Sequence, residues 1–262
     1  MKERQVPFVK FWNDQLEFYG GLTLLFKQVI HDTFSGKFYW RLLFDQILQV
    51  GVRSLPLVLI TAASTGMVMA LQFGVGLEKF GGKLYVPKLV ALIILREMGP
   101  VFTSLMVAAR IGAGFASEIG SMVVTQQIDA IRAMGTSPIK RIVIPRVLAC
   151  LIALPILTAS ANIVGNLGSL WVGAYELDLD GSFYLLKILS TVTLKDYFSG
   201  FFKTFFFALF IALPACYFGL TVTKGTKEVG IATTKAVVVG SIMILVGNYF
   251  LSKLFWIIGT VL

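Results

Sequence analysis

Long stretches without a single charged side chain constrain this chain more than any other feature. Residues 54–77 supply 24 uncharged positions in a row, residues 147–175 supply 29, 204–223 supply 20 and 236–252 supply 17. A helix rises 1.5 Å per residue, so ~20 apolar residues cross a hydrocarbon core of ~30 Å. Four such runs therefore read as membrane-crossing helices. A fifth, near 86–110, carries Arg96 and Glu97 inside it. Only 14% of the residues are charged and 56% are apolar, where a soluble domain averages about 25% and 45–50%. The expected fold class is all-α: a polytopic membrane protein of about five transmembrane helices.

The charges that remain indicate orientation. The segments 1–53, 110–146 and 224–235 hold 15 Lys and Arg residues, and those on the other side of the spans hold 8. Lys and Arg accumulate on the cytoplasmic side, so the N-terminus is expected inside and the C-terminus outside. No signal peptide is expected, because residues 1–50 contain Glu3, Asp14, Glu17, Asp32 and Asp45 and lack a clean apolar stretch. The net charge of +9 fits that bias and anionic lipid better than nucleic acid, since no run of five to eight basic residues is present. One histidine, His31, and two cysteines, Cys150 and Cys216, both in apolar runs, leave little for a metal site, and no nucleophile–base pair stands out.

Residues 8–50 read as amphipathic helices in the membrane interface. Phe8, Phe11, Trp12, Leu16, Tyr19 and Leu22 recur at helical spacing among charges, a second stretch runs from Phe38 to Val50, and Gly20–Gly21 and Ser35–Gly36 punctuate them. Small residues recur every four positions at Ala108, Gly112, Ala116 and Gly120, and again at Ala161, Gly165, Ser169 and Gly173. That spacing lets helix backbones approach closely in lipid. Between these stripes lies a polar stretch in which Thr125 is placed to cap a short helix, Ile128, Ile131 and Met134 share a face, Gly135 suits the position after its end, and Pro138 opens the next helix. It reads either as a solvated connection or as a cytoplasmic helix that docks into the groove of a soluble partner.

Arg96 and Glu97 are the sharpest site candidates, because charges within a span are costly and mark function. As neighbours they point about 100° apart on a helix. Either one faces a cavity, where Arg suits a phosphate, or both snorkel to the interface. Leu71, Phe73, Val75, Leu77 and Phe80, at the far end of the first span, offer an apolar wall for acyl chains, or simply face lipid. Glu176, Asp178 and Asp180 form an acidic cluster in a loop at 176–196, for a basic partner or for water.

The runs "GMVMALQ" (66–72), "LREMGPVFTSLMVAARIGAGFASEIGSM" (95–122) and "TQQIDAIRAMGTSPIKRIVIPRVLA" (125–149) resemble the MlaE family, permease subunits of ABC transporters that move lipids. The resemblance implies a single permease domain over 1–262, with interfacial helices in 1–50, spans at 51–77, 86–118, 138–175, 200–223 and 236–260, and a coupling helix at 123–135. It implies that Thr125, Gln126, Ile128, Asp129, Ile131, Arg132 and Met134 contact an ATPase, and that Arg96 and Glu97 lie near a lipid cavity, with Leu71, Phe73, Leu77 and Phe80 as further candidates for substrate binding. It further implies a homodimer in a bacterial inner membrane, a cytoplasmic ABC ATPase that binds the ATP, an MCE-domain lipid carrier outside and, in some systems, a STAS-domain subunit. This chain has no G-x-x-x-x-G-K-[ST] phosphate loop, so it is expected to hold no cofactor and to be a transport subunit, not an enzyme. The rival is an ATPase-independent secondary transporter or channel, which needs ion-coupling residues deep in the spans. The C-terminal spans offer few besides Asn162, Asn166 and Asn248.

Overall fold

The computed structural model describes residues 7–33, 39–223 and 225–261, the side chains of 7–15 and 258–261 excepted. The expected face of Phe8, Phe11 and Trp12 and the break at Ser35–Gly36 lie outside the described residues. Among those described there is no strand. Helix α1 (Pro7–Thr33) is followed by α2 (Trp40–Val50), α3 (Leu55–Glu78), α4 (Val86–Ile93), α5 (Gly99–Val107), α6 (Ala113–Val124), α7 (Gln127–Ala133), α8 (Ile144–Tyr175), α9 (Gly181–Thr191), α10 (Leu194–Leu220) and α11 (Gly225–Val261). Five continuous helical stretches are long and apolar enough to cross a membrane: Trp40–Glu78, Lys83–Val124, Ile139–Tyr175, Leu194–Leu220 and Gly225–Ile257. The chain is a multi-pass all-α membrane protein.

Helix α10 extends well beyond its uncharged run because a cap, and not lipid, sets its start. Thr193 and Asp196 form a reciprocal capping box that starts α10 ten residues before its uncharged run at 204. The expected punctuation at Gly20–Gly21 is overturned: α1 runs through both glycines. Gly21 instead lies under the ring of Tyr217, where any Cβ would collide with it. The 176–196 stretch is not all loop either. Asp180 accepts the Phe183 N–H at 2.8 Å and starts α9, and the Ser182 hydroxyl and this N–H hold its carboxyl below the usual range.

Helix α8 is the spine. One face of it packs along α3 and another along α10. Both small-residue stripes turn inward. Gly66 of α3 lies directly against the backbone of Gly165, and the carbonyl of Ala62 is 3.3 Å from where a Gly165 Cβ would stand. On the other stripe, Gly120 faces Val222 and Val229. Phe115, Ile119, Leu154, Phe207 and Ile211 fill the space between α6, α8 and α10 and are fully or almost fully buried. Lipid tails are as apolar as leucine, so this close backbone contact, rather than expulsion of water, holds the bundle together.

The helix Lys83–Val124 contains two π-helical turns, Ile94–Met98 and Ala108–Gly112, and a third, Ile139–Val143, opens the helix of α8. Each inserts one residue and re-aims the side chains around it. Each carries charge: Arg96 and Glu97, Arg110, then Lys140 and Arg141.

Candidate functional site

The first π turn solves the problem posed by adjacent charges in a span. Arg96 and Glu97 point apart, and each finds its own partner. The Arg96 Nε donates to Asp196 Oδ1 at 2.7 Å, and its Nη2 reaches the same oxygen. The other Asp196 oxygen accepts from the Thr193 backbone N–H at 2.9 Å and from its hydroxyl at 2.7 Å. Glu97 Oε1 accepts from Lys203 Nζ at 2.8 Å, and its Oε2 from Asn248 Nδ2 at 2.9 Å. The Lys203 ammonium uses its remaining protons on the Arg96 carbonyl and the Ser252 hydroxyl, at 2.9 and 2.8 Å. Lys203 is 0% exposed, so every donor it carries must be satisfied internally. Neither charge simply snorkels: this is a network joining π turn, α10 and α11.

The network is the floor of a cavity of about 860 Å³ between α4, α9, the start of α10 and the end of α11. Lys88, Lys187 and Lys195 also line it. Among the described residues none of these three has an ion pair, while both acids in the floor are already neutralised. The cavity therefore presents surplus positive charge, with Leu92, Phe255 and Trp256 as its apolar surfaces. Such a site takes an anionic or phosphate-bearing group with an apolar attachment.

The apolar wall expected at the end of the first span stands elsewhere. Phe73 and Leu77 pack on the cluster formed by Val86, Val90 and Tyr184. Leu71 and Phe80 are exposed on the bundle's outside. None of the four lines the cavity.

At the opposite end, α7 connects α6 to α8. The expectation that Thr125 caps it is overturned: the Thr125 hydroxyl donates back to the Ser121 carbonyl at 2.8 Å and closes α6. Gln126 makes the corner, in the left-handed region at φ 56°. That backbone turns the chain sharply enough for α7 to leave α6 after two residues. Gly135, at φ 73°, ends α7 as expected, with the Thr136 N–H bonded to the Ile131 carbonyl at 3.2 Å. Ile128 is buried and Ile131 half-buried, but Met134 is 64% exposed because it lies past the last helical turn. Asp129 and Arg132 pair at 3.3 Å on the exposed face. A second network braces this end: Arg146 Nη2 donates to Glu118 Oε2 at 2.8 Å, Gln49 Nε2 to Glu118 Oε1 at 2.9 Å, and the guanidinium lies over the Phe115 ring.

Sequence reasoning found Arg96 and Glu97 but missed Asp196, Lys203 and Ser252. A signal was present. Asp196, Gly200, Lys203, Thr204 and Phe207 follow one helical stripe, all buried, and Asn248 and Ser252 are one turn apart.

Five crossing helices, with a charged cavity at one end and a short exposed helix on a tight corner at the other, are the frame of a transporter permease. The family model described as Permease MlaE matches residues 43–254, and the chain belongs to that family. It is 41% identical over 218 residues to a probable ABC transporter permease protein of Rickettsia conorii, covering 83% of this chain and 84% of the relative. A probable ABC transporter permease protein of Synechocystis is 37% identical over 227 residues, 87% and 86% of the two chains. The chloroplastic protein trigalactosyldiacylglycerol 1 of Arabidopsis thaliana is 32% identical over 257 residues, 97% of this chain and 73% of the relative.

Proposed function

We propose that this chain is the permease of an ATP-driven lipid transporter of a bacterial inner membrane. A separate ABC ATPase binds the ATP and docks on α7 from the cytoplasm, through Thr125, Gln126, Asp129, Arg132 and Met134, while Ile128 and Ile131 seat the helix on the bundle. Two copies of the chain enclose the lipid, whose head group enters the cavity above Arg96 and Glu97. An MCE-type carrier outside gives or receives the lipid, with a STAS-domain subunit as a further partner in some assemblies. Leu71 and Phe80 line the acyl-chain path, with Phe73 and Leu77 behind them.

The observation that carries this reading is the continuous helical rod from the cavity to α7. From Glu97 to Val124 the chain stays helical through both π turns, about 40 Å at 1.5 Å per residue. Motion imposed at α7 therefore arrives at the cavity floor as displacement of a rigid element, and π turns are the places where such an element shifts register. The names of the Rickettsia and Synechocystis relatives support the ATPase partner, and that of the Arabidopsis relative, a diacylglycerol glycolipid, supports lipid cargo.

The test is co-purification. The full chain, extracted from its native membrane, is expected to bring an ABC ATPase with it, and replacing residues 125–134 by a Gly-Ser linker is expected to release that ATPase while the permease stays folded. A permease that purifies without any ATPase, or keeps it after the replacement, overturns the assignment of α7.

A further inference from the structure

Of the eight Lys and Arg residues on the cavity's side of the spans, five gather at this one place: Lys88, Arg96, Lys187 and Lys195 line the cavity, and Lys203 braces its floor. The three lysines of the lining stand on three different helices, α4, α9 and α10. The fold, and not a basic run of sequence, brings them together. Among the described residues, Glu97 and Asp196 are the only acids that line the cavity. Each accepts hydrogen bonds at both carboxylate oxygens: Asp196 from Arg96 and Thr193, Glu97 from Lys203, Asn248 and Ser252. The two acids therefore neutralise Arg96 and Lys203, and three positive charges remain. Lys187, half-buried, is the most enclosed of them. Ser190, Thr191 and Ser199 add hydroxyls to the same lining.

This charge balance discriminates between head groups. A zwitterionic head group carries an ammonium close to its phosphate, so both enter together. Here that ammonium meets three others and no carboxylate free to pair with it. The rings of Phe255 and Trp256 are the surfaces of the cavity that attract a cation, and Trp256 is 69% exposed, where such attraction is weak. An anionic head group brings no cation, and its phosphate meets lysines and hydroxyls alone. Selection needs a repulsive element as well as an attractive one, and the cavity holds both. Resting on the reading that the head group of the transported lipid enters this cavity, we infer that the cavity selects an anionic phospholipid over a zwitterionic one. Lys88, Lys187 and Lys195 determine that choice. The networks of Glu97 and Asp196 serve it by leaving no acid for a cation to pair with.

The experiment is a competition within one vesicle. The full chain with its ATPase is reconstituted with phosphatidylglycerol and phosphatidylcholine in equal amounts, their acyl chains matched and carrying two distinguishable fluorophores, and ATP-dependent transfer of each is read at once. Phosphatidylglycerol is expected to move about tenfold faster, the scale of one close charge–charge contact. The preference is expected to shrink in about 0.5 M salt, which screens exposed charges. Replacing Lys88, Lys187 and Lys195 together by Gln is expected to bring the two rates within about twofold of each other, with ATPase retention as the check on assembly. Equal rates for the unaltered chain, a preference that ignores salt, or one that survives the triple replacement in an assembled complex overturns the selection and leaves the lipid reading standing. Faster transfer of phosphatidylcholine overturns it in favour of the aromatic rings. Loss of phosphatidylglycerol transfer in millimolar inorganic phosphate at constant ionic strength overturns it too, by assigning the lysines to free phosphate. No ATP-dependent transfer of either lipid overturns the lipid reading itself, and the selection with it.

Discussion

Two acid–base pairs mark the two ends of this bundle, and they obey different physics. Glu97 and Lys203 meet at 2.8 Å with the lysine wholly buried and its remaining protons engaged. Asp129 and Arg132 meet at 3.3 Å with both side chains about two-thirds exposed. Water competes for the second pair, so it contributes little stability, and both groups stay available to a partner. Water reaches only the Glu97 side of the first, so breaking it leaves a largely buried charge without its counter-ion. One end is therefore committed to holding helices and a cavity floor in place. The other is free to be read from outside.

The largest break in that contrast is Lys203→Met. With Glu97 about one-third exposed, stranding its charge is expected to cost about 3 kcal/mol, seen as a lower midpoint in thermal unfolding of the detergent-solubilised protein. Adding Glu97→Gln should recover most of the loss, because a neutral pair leaves no buried charge. A single-variant loss under about 0.5 kcal/mol would erase the distinction between the ends.

Arg146→Gln comes next and sharpens the comparison, since Glu118 is about as exposed as Glu97 but keeps a neutral hydrogen-bond donor in the new glutamine. A loss of about 2 kcal/mol is expected in the same unfolding measurement. A loss matching that of Lys203→Met would mean that a neutral donor in place of the base does not lessen the cost.

Gln126→Gly works in the opposite direction. It removes the steric penalty of a left-handed non-glycine residue, partly offset by a freer unfolded chain, so a net gain of about 0.5 kcal/mol is expected. A loss in the urea midpoint would show that the Gln126 side chain holds the corner.

Arg132→Ala is the smallest change in stability, within about 0.5 kcal/mol. Its effect is expected in binding: weaker ATPase retention on a pull-down with an unchanged unfolding midpoint. Equal retention would remove this residue from the docking face.

Much of this was legible in the sequence. Hydrocarbon admits few charges, so the uncharged runs reveal the spans, and Gly135 reveals where α7 ends because few other residues adopt its backbone. Arg96 and Glu97 stood out for the same reason. Their partners did not. Asp196 and Lys203 flank an apolar run, where composition assigns charges to a loop. Only the helical phase of α10, carried back from Phe207, turns them inward. Thr125 misled because a hydroxyl before a helix is equally able to close the one preceding it, and the left-handed corner at Gln126 leaves no trace in composition. The inward turn of both small-residue stripes depends on which helices meet, which no local pattern encodes.

Transport itself is the most direct test of the account that a charged cavity is worked through a rigid rod from α7. The permease, reconstituted with its ATPase in vesicles, is given fluorescent phospholipid, and transfer to an acceptor is followed with and without ATP. The account predicts ATP-dependent transfer that falls to background when the ATPase is omitted or residues 125–134 are replaced, and that drops at least tenfold with Glu97→Lys while the complex stays assembled. Full-rate transfer by the chain alone, or by the Glu97→Lys complex, would contradict it.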